Sequence, residues 1–298
     1  MDVTYCTSNS DLFFGTPPDQ LLGKSYKVVF PVEISHAINN LIGSSFLKKR
    51  RITLQEWSAQ GRIFHLTLAQ TSDYISIEIE WLNYEEKSLG FWIRELEIIR
   101  STLETLTEPQ KLIERATIGL RRVLGFERMV FFKANEEQTY DLISEAVGPF
   151  LSTASALPYS DNSKIEAIPY DGTRACFDFG KRQAKLLSHS RFAKPSKGST
   201  SQDLSRIPTS LSYAYSLLDR QALTEEGIVS FIAVPLIIDG EVWGVFEGHH
   251  MSPHIAGRNM REALNLFSDF LSYQLSCVEM TSRLKRLERQ IHARGEGL

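Results

Sequence analysis

Cysteine is scarce in this chain: three thiols, Cys6, Cys176 and Cys277, in 298 residues. Their odd number and wide spacing exclude a disulfide framework and a clustered thiolate metal site, so reduced thiols are expected. No apolar run approaches the ~18 residues a membrane helix needs. The opening MDVTYCTSNSDLFF lacks the basic end and apolar stretch of a signal peptide, so a cytoplasmic protein with no membrane partner is expected. A formal net charge of −3 excludes a global field that would gather nucleic acid. Also missing are a P-loop, a G-x-G-x-x-G after a strand, a G-x-S-x-G elbow and the kinase motifs, so no enzyme class has positive support.

What is present suits two domains, which most often run to roughly 100–150 residues each. Within residues 1–88, TPPDQLLGK reads as a Pro-Pro turn and a short helix stopped by Gly23, and FPVEISHAINNLI repeats apolar residues at helical spacing. Tyr74 to Trp81 alternates as a half-buried strand does. Together these elements suit a PAS-like α+β domain.

Residues 89–125 read as connecting helices. Trp92, Leu96, Ile99, Leu103 and Leu106 form a heptad-like seam, and Thr107-Glu108-Pro109-Gln110 has the form of a capping box opening a second helix that ends at Gly125. Over 126–257, FERMVFFKA and TYDLISEAV read as strands. Asp239-Gly240 between two apolar runs is a hairpin signal. The Ser-, Lys- and Pro-rich stretch 185–212 reads as a surface loop of this domain. From 258 to 298 one long helix is expected, its apolar face running from Met260 through Leu264, Phe267, Leu271, Leu275 and Val278 and extended by Leu284, Leu287 and Ile291. Its stripe and the 92–106 seam could pack within the chain or across a homodimer.

Three of the seven histidines fall in WGVFEGHHMSPH, Trp243 to His254. The i, i+4 spacing of His250 and His254 would suit zinc on a helix, but Pro253 lies between them and a strand precedes them, which argues against a metal. Two readings of the His249-His250 pair stay open: one ring caps the strand while the other meets water, or one points into a cavity as donor and acceptor.

The run from Ile238 to Pro253 resembles the phytochrome GAF signature VDGKLWGLIACHH-x-x-P. LGFERMVFFKA is similar to that family's TGFDRVMVYRF, and SNSDLFFGTPPDQLLGK resembles its PAS stretch. The likeness to bacteriophytochromes spans roughly residues 3–280. It implies an α+β fold in which a PAS domain precedes a GAF domain, each an antiparallel sheet flanked by helices, with long connecting and C-terminal helices.

The resemblance also implies cofactor-binding positions. His249 matches the histidine that hydrogen-bonds the bilin D-ring carbonyl, and Asp161 matches the aspartate of a P-A-S-D-I-P motif. The histidine near the pyrrole water falls on Asp219, and the attachment cysteine of plant and many cyanobacterial members falls on Leu218. Tyrosines that line the D-ring pocket fall on Phe132 and Ala222, and a propionate-binding arginine on Tyr213. Bacteriophytochromes attach biliverdin through a cysteine upstream of the PAS core, ahead of a segment that threads the GAF loop. Cys6 lies after the matching point, which leaves the 185–212 loop with nothing to encircle. The resemblance therefore predicts a sensory protein without covalent bilin, acting on a protein signalling partner. The alternative is noncovalent binding of biliverdin or a related tetrapyrrole.

Overall fold

The computed structural model describes residues 1–7, 10–43, 52–59, 62–70, 75–81, 86–137, 139–158, 173–176, 186–188, 218–254 and 256–295. The chain forms two compact units, 1–85 with 182–211, and 86–181 with 212–298.

The first unit begins with β1 (Tyr5–Thr7), the short helices α1 (Asp11–Phe14), α2 (Pro18–Leu21) and α3 (Tyr26–Val29), and α4 (Val32–Gly43). An antiparallel sheet of β2 (Ile52–Ala59), β3 (Arg62–Gln70) and β4 (Ile75–Trp81) follows, in that order. The alternation in β4 places Ile75, Ile77 and Ile79 against a core of Tyr26, Phe30, Ile38, Phe64, Leu66 and Leu68. Tyr74 lies outside the described residues.

The second unit opens with α5 (Leu89–Leu103), capped by Ser88, whose hydroxyl accepts from the Phe91 N–H, and α6 (Pro109–Leu124), stopped by Gly125 at φ 76°. The expected capping box does not form: Pro109 takes the first helical position, so Glu108 rather than Thr107 is the cap residue, and its side chain accepts no capping bond. It continues with β5 (Arg128–Ala134), β6 (Tyr140–Val147), β7 (Arg174–Cys176), α7 (Arg220–Glu225), β9 (Ser230–Ile238), β10 (Glu241–His250) and α8 (Arg258–Gly295); β8 (Leu186–Ser188), which falls between β7 and α7 in the chain, belongs to the first unit. Among the described strands the order β6-β5-β10-β9-β7 is antiparallel throughout. Asp239 and Gly240, at φ 54° and 85°, make the left-handed two-residue turn that matches strand twist.

One expectation changes in the stretch read as a surface loop with nothing to encircle. Leu186–Ser188 is the strand β8, and it pairs with β1, joining Tyr5 to Ser188 and Thr7 to Leu186. This segment belongs to the first unit.

The five-stranded sheet buries both faces. On one, Trp92, Leu96, Ile99 and Leu103 of α5, Leu112 and Leu120 of α6, and Leu264, Leu271 and Leu275 of α8 pack over Phe131, Val234 and Phe246. Each such side chain contributes roughly 1.5–3 kcal/mol on burial. The 92–106 seam is therefore filled within the chain. The extension expected at the end of α8 does not follow the same face. Helical steps from Leu275 and Val278 lead to Ser282 and Lys285, while Leu284 and Leu287 are 55% and 47% exposed. No helix among the described residues is long and apolar enough to cross a membrane.

Candidate functional site

The opposite face of the sheet carries the site. Alternation along β5 and β10 sends Val130, Phe132 and Val245 to this face and Phe131 and Phe246 to the helical one. Leu218 and Leu223, flanking and within α7, complete an apolar cluster with Phe231 and Ala233. By the same parity Arg128, Glu247 and His249 belong to this face, and all three are fully buried. Gly244 lets β10 lie close to β5: a Cβ there would meet the backbone oxygen of Phe132 at 2.7 Å.

A buried charge seldom occurs without partners, because desolvation costs several kcal/mol per ion. Arg128 has them. Its Nη1 donates to Glu226 Oε2 at 2.9 Å and to the Ser152 carbonyl at 3.0 Å, and its Nε donates to His249 Nδ1 at 3.2 Å. The Ser152 hydroxyl donates to the other Glu226 oxygen. β5 and β10 pair Arg128 directly with His249, which is how the strand register builds the contact.

This arrangement assigns the His249 tautomer. Nδ1 accepts from the guanidinium, so the neutral ring carries its proton on Nε2, which faces Glu247 Oε2 at 3.5 Å and makes no shorter hydrogen bond among the described residues. Burial is the main cause that pushes the His249 pKa down, and the Arg128 charge adds to it against Glu247 and Glu226. Among the described residues, Arg128 Nη2 and the Tyr140 hydroxyl are also buried without a hydrogen-bond partner. Burial, and then the Glu247 carboxylate, push the Tyr140 pKa up to about 12.

The positions implied by the resemblance are distributed as follows. His249 is buried on this face, and Phe132 and Leu218 share the apolar cluster. Asp219 caps α7: its Oδ1 accepts from the Ala222 N–H at 2.9 Å, and its own N–H donates to Pro158 O at 2.8 Å. Asp219 thus stands at the N-terminal end of α7, whereas Glu226, which binds Arg128, stands at the C-terminal end. Ala222 is half-buried in the first turn. Asp161 and Tyr213 lie outside the described residues.

His250 and His254 stack at 4.8 Å and an interplanar angle of 7°. His254 Nε2 is 2.9 Å from the Leu124 carbonyl at the end of α6, and His250 Nδ1 accepts from the Ser252 N–H. Among the described residues no group of three His, Cys, Asp or Glu could hold a metal ion.

Sequence reasoning missed Arg128, Glu226, Glu247 and Tyr140. Glu247 had a signal: in VFEGHH it shares strand parity with Val245 and His249, and a charge at a buried position is the informative exception.

A bilin, the cofactor the fold family implies, fits these residues in part. The buried Nε2–H of His249 is a donor that a lactam carbonyl would satisfy. At the two positions the resemblance compares with attachment cysteines, the chain holds no exposed thiol. Leu218 is 1% exposed in the apolar cluster. The Cys6 thiol donates to Pro18 O and is held above its ordinary pKa chiefly by burial, away from the reactive thiolate.

The model of the family described as "GAF domain" matches residues 108–275. The "Bacteriophytochrome" of Xanthomonas campestris pv. campestris (strain 8004) is 24% identical over 177 residues, which are 57% of this chain and 26% of that protein. The "Bacteriophytochrome" of Pseudomonas aeruginosa is 20% identical over 217 residues, 70% of this chain and 27% of that one. The chain therefore spans about a quarter of the length of these curated relatives. Among solved structures, the photosensory core module of Stigmatella aurantiaca phytochrome superposes with a TM-score of 0.73 at 20% identity, over 97% of this chain and 58% of that chain.

Proposed function

The chain belongs to the GAF domain family and is bacteriophytochrome-like, and from that premise we propose a non-enzymatic cytoplasmic signalling module that carries no covalent bilin on this chain and regulates a partner through protein contacts. The observation that carries this reading is the Leu218-Asp219 pair. The first fills the attachment position with a buried hydrocarbon, and the second spends its carboxylate on capping α7. The guanidinium of Arg128 is likewise engaged inward by Glu226 and His249. Incubation with biliverdin followed by denaturation tests the reading. No pigment is expected to stay with the polypeptide, and a red or far-red band that survives denaturation overturns it.

One observation favours a second reading, noncovalent binding of a bilin or another flat tetrapyrrole. Among the described residues Arg128 Nη2 and the Tyr140 hydroxyl are buried without a hydrogen-bond partner, and His249 Nε2 has only the Glu247 carboxylate at 3.5 Å, on the face that would receive it. A bilin would supply the conjugated chromophore. The chain would contribute the His249 Nε2–H as a donor and the apolar wall of Phe132 and Val245 as the water-excluding surface. Absorbance titration of wild type against His249→Ala separates the readings, since identical featureless spectra exclude a bound pigment.

A further inference from the structure

Two side chains on the buried face of the sheet converge on one point. Glu247 and His249 are alternate residues of β10, about 7 Å apart along the strand. Their tips nevertheless meet, with Glu247 Oε2 and His249 Nε2 at 3.5 Å, and both side chains are fully buried. Arg128 holds the imidazole in this orientation. Its Nε donates to Nδ1 while Glu226 and the Ser152 carbonyl fix the guanidinium, so the ring proton stays on Nε2. The face thus presents one fixed donor beside one acceptor, with Phe132, Phe231 and Val245 as hydrocarbon surroundings. A second donor is close: the Tyr140 hydroxyl is buried without a hydrogen-bond partner among the described residues, and burial and the Glu247 carboxylate raise its pKa to about 12.

This pattern discriminates among ligand groups. A carboxylate offers only acceptors and sets its charge against that of Glu247. An ammonium or guanidinium offers only donors and leaves the His249 Nε2–H buried without a new acceptor, which is unfavourable. A lactam offers one of each on a single edge. Its carbonyl oxygen accepts from Nε2–H while its N–H donates to Oε2, and a carboxylate oxygen accepts more than one hydrogen bond. A planar ring carrying that edge also suits the apolar walls.

We infer that Glu247 is a specificity-determining residue which, together with His249, reads the N–H and C=O edge of a lactam on a flat ligand. The inference rests on the second reading above, noncovalent binding of a flat ligand on this face. It adds the acceptor half of the contact and assigns it to Glu247.

The test uses the full chain and two flat tetrapyrroles: biliverdin, whose end rings are lactams, and protoporphyrin IX, which has two propionates as biliverdin does but no lactam. Absorbance titration of the wild type is expected to show tighter binding of biliverdin. Glu247→Leu is expected to weaken biliverdin about 10–100-fold, the worth of a hydrogen bond to a charged group, and to leave protoporphyrin IX unchanged or tighter. Glu247→Gln keeps the shape and one acceptor oxygen, so its preference for biliverdin should fall between those of wild type and Glu247→Leu. A carboxylate that only supports the fold would shift both ligands together. Circular dichroism reports folding of each variant, and if Glu247→Leu does not fold, the wild type and Glu247→Gln carry the comparison. A wild type that binds both pigments equally, or variants that keep the full wild-type preference, overturn the inference and leave noncovalent binding standing. Failure of the wild type to bind either pigment removes that reading and the inference with it.

Discussion

Replacing Glu226 by alanine probes the buried network where its cost is largest. The Arg128 side chain is fully buried and Glu226 is 14% exposed, so at 2.9 Å the carboxylate pairs with a cation without access to water. Its loss leaves Arg128 Nη1 with the Ser152 carbonyl alone and Nε with a neutral imidazole. Removing one member of a buried pair typically costs about 3–5 kcal/mol, because the other charge stays desolvated. Against a domain stability of about 5–15 kcal/mol that is a large fraction. Urea unfolding followed by circular dichroism should show the midpoint falling with little change in slope. Removing both charges in Arg128→Met/Glu226→Leu should restore part of the loss, since replacing a buried pair by hydrocarbon is often near neutral. A Glu226→Ala midpoint equivalent to less than about 0.5 kcal/mol, the level of an ordinary surface substitution, would refute the claim that this pair is desolvated.

Acid should weaken the GAF unit through His249. Its folded pKa lies below the unfolded value, so below about pH 6.5 the unfolded chain takes a proton that the native chain refuses, and stability falls as pH falls by up to about 1.4 kcal/mol per pH unit. Urea midpoints between about pH 7 and pH 5 should slope less steeply in His249→Gln, and equal slopes would contradict this. Asp219→Ala should cost about 1 kcal/mol in thermal unfolding and Asp219→Ser much less, as expected for a helix cap; equal losses would argue that the carboxylate has another role. Gly244→Ala should cost about 1–3 kcal/mol by pressing a methyl group against the Phe132 backbone and the Phe131 ring, and a wild-type midpoint would show that β5 can yield.

Local signals proved readable in this sequence. The Asp239-Gly240 turn, the stop at Gly125 and the buried stripes of α5 and α8 each depend on residues close together in the chain, where period and turn chemistry act directly. Pro109 shows the limit even of a local rule, because its place at the first helical position displaced the cap by one residue. The Arg128 network was not readable in the same way: its partners lie 98 and 121 residues away, and strand register brings them together. Asp219 carried a double meaning. Its position suggested a ligand contact, while its chemistry, an aspartate ahead of a helix, was that of a cap. On α8 the expected apolar extension fails because Leu284 and Leu287, at about 100° per residue, lie roughly 140–160° around the helix from the buried stripe, and both are exposed.

The absorbance spectrum of the protein purified after co-production with a bilin source tests the central claim most directly. A preparation with no red or far-red band remaining on the denatured chain is the expected result. A pigment that stays covalently attached after denaturation and interconverts reversibly under red and far-red light before it would contradict the account.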